Sequence, residues 1–156
     1  MTFTAESDTY ADEALPATNF GTATTLQTKG GTGSRQISFI RFRVTGMHDT
    51  VQDVRLRVFC TTNGSAHGPT AYLADSNWIE SGADGLNWNH QPDMWSSAID
   101  HKNVVTAGNW VEYDVSSLIE GDGLYSFALI SDSTDGVSYS SREGSTPAQL
   151  VVTFEQ

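Results

Sequence analysis

The chain has one cysteine, four prolines and only eight lysines and arginines in 156 residues. A single cysteine excludes an internal disulfide, and Cys60, set in an apolar run, reads as a small buried hydrophobe. Against the eight cations stand 19 aspartates and glutamates, for a formal net charge of -11 and a pI of about 4.4. Such a chain lacks the basic field that draws nucleic acids or anionic membranes. No apolar run approaches the ~20 residues that span a bilayer. The opening "MTFTAESDTY" has neither the basic region nor the apolar stretch of a signal peptide. A helical stripe is missing too: no segment keeps a 3.6-residue apolar period over three turns, and the best helical candidate, "MWSSAIDHK", is short and polar.

What the chain does have is alternation. In "SFIRFRV" Ile40, Phe42 and Val44 share one parity while Phe39, Arg41 and Arg43 take the other. In "VRLRVFC" the sets are Val54, Leu56, Val58 and Cys60 against Arg55, Arg57 and Phe59. Period-two patterns of this kind mark half-buried strands. "PTAYLAD", "NWVEYDV", "LYSFALIS", "VSYSSR" and "AQLVVTFE" are further strand candidates. Between them lie "KGGTGS", "TTNGSAHGP", "ESGADG", "EGDG" and "DSTDG", whose Gly, Asn, Asp and Ser reverse the chain. Many short strands joined by such turns predict one all-β domain over residues 1–156, a jelly-roll β-sandwich of two antiparallel sheets. The longest weakly patterned stretch, Ser76 to Asn103, holds three of the four tryptophans.

Half of the positive charge falls in the two arginine-bearing strands. Consecutive strands are neighbours about two-thirds of the time. Were these two adjacent, Arg41, Arg43, Arg55 and Arg57 would line one patch, residues two apart along a strand lying roughly 6.5 to 7 Å from each other. The guanidinium fork grips carboxylate or sulfate in pairs, so the strip suits a linear polyanion. The competing reading pairs the same arginines with the chain's own acids. Sugars also stack their C–H faces on aromatic rings, and Trp88 and Trp95, in a polar loop, are the candidates for that role.

Several segments, in order, carry a resemblance. "SDTYADEALPATNFGTATTLQTKGG", "FIRFRV", "VRLRVF", "NWIESGADGLNWNHQP", "NWVEYDVSSLIEGDGLYSFAL" and "GVSYSSREGSTPAQLVVTFE" together resemble the DNRLRE-type module, carbohydrate-binding module family 96. The resemblance implies a jelly roll that accompanies secreted polysaccharide-degrading enzymes or surface proteins, alginate or another polysaccharide as partner, and a structural calcium. It places family arginines on Arg41, Arg57 and Arg142, whereas Arg43 and Arg55 match no fixed position; Lys29 is expected near the same surface.

For calcium, which takes six to eight oxygen ligands, the N-terminal "SDTY...TNFG" offers Asp8 and Asn19 with flexible backbone at Gly21, and Glu143 of "SREG" is positioned to close the site if the terminal strands meet. The alternative for Asp8 and Asn19 is turn capping. His48, His67, His90 and His101 show no paired spacing, and no carboxylate pair stands out for glycoside hydrolysis. The sequence reading is a non-catalytic module, cut from a larger secreted chain, that holds an attached catalytic or surface domain on an anionic polysaccharide. Its ligand-binding candidates are Arg41, Arg57, Arg43, Arg55, Lys29, Arg142 and Trp88. A structural adhesion module and a small polysaccharide lyase are the alternatives.

Overall fold

The alternating segments form strands and no segment forms an α-helix. The computed structural model describes residues 1–156. Its strands are β1 (Thr2–Thr4), β2 (Ser7–Asp12), β3 (Thr25–Thr28), β4 (Gln36–Val44), β5 (Val51–Phe59), β6 (Thr70–Ala74), β7 (Asp100–His101), β8 (Trp110–Asp114), β9 (Gly123–Ile130), β10 (Val137–Ser140) and β11 (Gln149–Phe154). The only helical feature is one 3-10 turn, Ser116–Leu118. All pairings are antiparallel: β1-β11-β5-β8 make one sheet, β2-β4-β9-β6-β7 a second, and β10-β3 a two-stranded ribbon beside them. This is the expected jelly-roll β-sandwich.

The apolar parities meet between the sheets. Ile40, Phe42 and Val44 of β4 and Phe127 and Leu129 of β9 pack with Val54, Leu56 and Val58 of β5 and Leu150 and Val152 of β11 in one buried cluster. Tyr113 and Tyr139 join it, their hydroxyls 3.4 Å apart, with Tyr113 also donating to the Pro69 carbonyl. Burial drives both phenols upward in pKa.

The expected adjacency of the two arginine strands is not what forms. β4 pairs with β2 and β9, and β5 with β11 and β8, so the strands belong to opposite sheets. The reason is the core itself: both strands are long and amphipathic, and placing them in facing layers buries both apolar sides against each other. Arg41 and Arg43 therefore point out of one side of the sandwich and Arg55 and Arg57 out of the other. A four-arginine strip does not exist.

The outer face of the five-stranded sheet is itself partly covered. Residues of the weakly patterned loop fold over it: Trp78 and Leu86 pack with Ala11, Phe39, Ala74 and Ala128 in a second buried cluster. Trp78 Nε1 donates to Ser126 Oγ on β9 at 2.9 Å, which fixes the loop to the sheet. The "MWSSAIDHK" segment is not helical. Met94 bridges to Ala74 and Asp100–His101 becomes β7, so this stretch extends the sheet edge beside β6.

Candidate functional site

Each arginine that the sequence singled out has a protein partner. Arg41 is the most engaged. Its Nε donates to Glu6 Oε2 at 2.9 Å, Nη1 to the Ser76 and Trp78 carbonyls at 3.1 and 2.7 Å, and Nη2 to Ser7 Oγ at 3.1 Å, while the guanidinium lies 4.7 Å from the Trp78 ring centre. It is the rivet between β2, β4 and the covering loop. Arg43 donates to the other oxygen of Glu6. Together they hold that carboxyl below its usual range, although burial opposes them. On the opposite sheet Arg55 pairs with Asp53 at 2.7 Å and approaches Asp114 at 3.5 Å. Arg57 donates to Gln149 Oε1 at 3.0 Å, reaches Glu112 at 3.6 Å and lies 4.4 Å from the Trp110 ring centre. Of the eight lysines and arginines, seven are in ion pairs; Lys29 is the exception.

A carboxylate cluster does form at the N-terminal end of β2. Asp8, Glu80 and Glu143 bring oxygens within 4.8 Å of one another. Asp8 is buried, with one oxygen accepting the Arg142 backbone N–H at 2.9 Å and the other, Oδ1, without any partner. Burial chiefly, with Glu143 and Glu80 nearby, pushes its pKa up to about 8 despite that backbone bond. Glu80 is pushed upward as well, by burial and by Glu143. An unpartnered buried carboxylate oxygen facing two more carboxylates is costly unless a proton or a cation sits there. The donor set is hard oxygen throughout, which suits a divalent cation of the calcium or magnesium kind. Arg142 Nη1 meanwhile bridges Glu80 at 3.0 Å and Glu143 at 3.2 Å.

Two of the sequence candidates for this site have other work. The Asn19 amide donates to the Glu80 and Leu86 carbonyls, each at 2.8 Å, and its oxygen accepts the Gly21 N–H. Asn19 thus holds the loop that delivers Glu80, which is nearer the turn-capping alternative than a metal ligand. Gly21 lies so close to that loop that a Cβ on it would stand 1.8 Å from the Glu80 carbonyl oxygen. Glu80 itself was missed. Its sole sequence signal was the "W.E" spacing in a stretch with no regular pattern, and only the folded loop brings it to Asp8, 72 residues away.

Lys29 lines a cavity of about 400 Å³ at the outer end of the five-stranded sheet. Arg35, Ile37, Ile130 and Asp132 line it with Lys29. Arg35 pairs with Glu13 at 2.7 Å, holding that carboxyl down at about 2, and its guanidinium lies 5.1 Å from the centre of the Trp88 ring. Trp88 and Tyr72, both half-buried, pack like Ile37 and Ile130 against the second buried cluster. On the far side of Asp132 a second cavity, about 340 Å³, is lined by His67 and His101. The histidines, unremarkable in sequence, thus meet across one hollow. Asp132 lines both cavities, so together they make a groove with Lys29 and Arg35 at one end and two imidazoles at the other.

An all-β sandwich with a charged and polar surface groove is a scaffold that many binding modules share. The profile of carbohydrate-binding module family 96 matches residues 1–154, so the chain belongs to that family. Comparison with curated proteins gave no match.

Proposed function

We propose that this module binds an acidic polysaccharide in the groove of the five-stranded sheet, with Lys29 as the principal charged contact and Arg35 and Trp88 alongside it. The observation that carries this reading is that Lys29 is the one cation without an acidic partner and that it lines the groove. A free ammonium donates to a sugar carboxylate or sulfate without breaking an ion pair. Arg35 contributes by sharing its fork with Glu13, and the exposed part of the Trp88 ring beside it offers an aromatic surface to pyranose C–H groups. Arg41, Arg43, Arg55 and Arg142 act in this reading on the protein's own acids. That pairing is the state an adhesion module would show; membership of a carbohydrate-binding family favours the glycan reading.

The role is tethering. A non-catalytic, extracellular module joined to an enzyme keeps the catalytic domain close to its polymer, and a second module multiplies the effect through local concentration. Alginate is one candidate of the right chemistry.

The carboxylate cluster fits structural calcium. Asp8, Glu80 and Glu143 would hold the ion, supplying the charge that the unpartnered Asp8 oxygen lacks, and would clamp the covering loop to β2 and to the segment before β11. Arg142 bridges Glu80 and Glu143, and would have to share or release them for an ion to bind there.

The test is affinity electrophoresis on alginate, pectate and a sulfated galactan, with Lys29→Ala beside the unaltered chain. The expected result is retardation on at least one acidic glycan, lost in the variant with no change in melting temperature. Retention of full retardation by Lys29→Ala, or no retardation on any of the three, overturns the assignment.

A further inference from the structure

The outer face of the four-stranded sheet carries a second surface that the groove does not explain. Nothing folds over it as the loop folds over the other sheet. Strand register sets its side chains in rows. Trp110 and Phe59 stand opposite each other, with rings edge to face at 5.5 Å. The next row, roughly 7 Å along the strands, runs Glu112, Arg57, Gln149 and Thr4 across β8, β5, β11 and β1. Beside Trp110 opens a hollow of about 240 Å³, rimmed by Val104, Thr106 and Asn109. Val104 is 71% exposed, unusual for a valine and unsupported by any packing neighbour in the core.

Arg57 is held here from three sides, by the Trp110 ring, Gln149 Oε1 and Glu112, yet it makes only one hydrogen bond within 3.5 Å. Most of its five donors are therefore fixed in direction and free. The two cations on this face are outnumbered by their partners, Arg57 meeting Glu112 and Arg55 meeting both Asp53 and Asp114, so the face carries a slight negative excess. Such a surface offers no net attraction to a polyanion, least of all on a chain of charge -11. It does offer carboxylate, guanidinium and amide groups for hydroxyls, next to an edge-to-face aromatic pair for sugar C–H groups.

We infer that this face is a second glycan site, selective for a neutral chain of pyranose rings, with Trp110 and Phe59 as the aromatic contacts and Arg57, Glu112 and Gln149 as the hydroxyl readers. The module is then two-sided: one sheet takes an acidic chain and the other a neutral one. That arrangement suits a composite matrix in which both polymers are interleaved.

Affinity electrophoresis at fixed salt on soluble mixed-linkage β-glucan, xylan and glucomannan tests this, with Trp110→Leu and Val104→Asp beside the unaltered chain. Val104 is exposed, so Val104→Asp tests the surface without disturbing the core, should Trp110→Leu fold poorly. The unaltered chain is expected to be retarded on at least one neutral glycan, with affinity reduced at least tenfold in both variants and retardation on acidic glycans unchanged. Absence of retardation on all three polymers overturns the proposal. So does retention of neutral-glycan binding by Val104→Asp, or loss of acidic and neutral binding together, which would place both in a single site. Failure of acidic binding in the unaltered chain bears on the groove and leaves this test standing.

Discussion

Replacing Arg41 by alanine is expected to cost the fold far more than it costs ligand binding. The guanidinium side chain is 15% exposed and makes four hydrogen bonds, two of them to loop carbonyls, besides stacking on Trp78. A hydrogen bond from a charged donor is worth about 1.5 to 3 kcal/mol, and a partly desolvated cation–π contact about 1 to 2. The losses do not add. Glu6, whose side chain is 31% exposed, keeps Arg43 as a partner, and water reaches part of the vacated space. A net loss of about 3 to 5 kcal/mol is reasonable for a half-buried pair with its supporting bonds. In a domain of this size 1 kcal/mol moves the midpoint by about 2 to 4 °C, so the melting temperature should fall by on the order of 10 °C. Arg43→Ala, at a 58% exposed side chain on the same carboxylate, is the control and should cost about 0 to 1 kcal/mol. Differential scanning calorimetry on both variants, with glycan electrophoresis well below the lower midpoint, separates the roles. An Arg41→Ala protein that melts within 2 °C or so of the parent, yet no longer binds acidic glycan, would refute the rivet and restore Arg41 to the ligand.

The carboxylate cluster gives a pH signature in metal-free protein. Asp8 titrates near 8 in the fold against 3.8 in the open chain, so its neutral form stabilises the protein fully below about pH 4 and that contribution fades as pH rises to about 8. Chelated protein should lose up to about 1.4 kcal/mol per pH unit across that window. Calcium needs the ionised carboxyl, so the midpoint gap between calcium and chelator should widen from pH 5 to pH 8; a gap that is absent, or constant with pH, would count against the site. Gly21→Ala should displace the Glu80 loop, because its Cβ would sit 1.8 Å from the Glu80 carbonyl oxygen. About 1 to 3 kcal/mol of stability should go, together with any calcium-dependent rise in midpoint, and an unchanged calorimetric profile would contradict the close approach.

Alternation told each strand's faces but not its neighbours. "FIRFRV" and "VRLRVF" have the same pattern, and nothing in either says that β9, over 80 residues downstream, lies beside the first while β11 lies beside the second. One clue was available. Phe39 shares the parity of Arg41 and Arg43, and a phenylalanine that is fully buried on the nominally outer face means that something covers it. The covering loop has no period because its contacts run to separate partners: the Trp78 indole donates to Ser126 of β9, two of its carbonyls accept from the Asn19 side-chain amide, and Met94 bridges to Ala74 of β6. The same irregularity hid Glu80. The approach of Glu143 in "SREG" to Asp8 was legible, because both lie in segments that the terminal strands bring together. Arg35 and the histidines were not, because the groove arises where strand ends and loops from five parts of the chain converge.

The distribution of charge leads to an unusual salt dependence. A protein that grips a polyanion through many cations weakens steadily as salt rises. Here seven of eight cations are already neutralised internally and the whole chain carries -11, so the long-range interaction with an acidic chain is repulsive while the contact at Lys29 is short. The Debye length shrinks from about 30 Å at 0.01 M to about 10 Å at 0.1 M. That change screens the surface acids beyond the groove and leaves an ammonium–carboxylate contact at hydrogen-bonding distance mostly intact. Retardation on an acidic glycan should therefore increase between 0.01 and 0.1 M salt and decline only toward 0.5 M, where the contact itself is screened. Electrophoresis or calorimetry at those three concentrations decides the matter. A monotonic, steep decline from the lowest salt would mean that several of the paired arginines release their acids to bind the polymer, and the single-cation groove would be the wrong site.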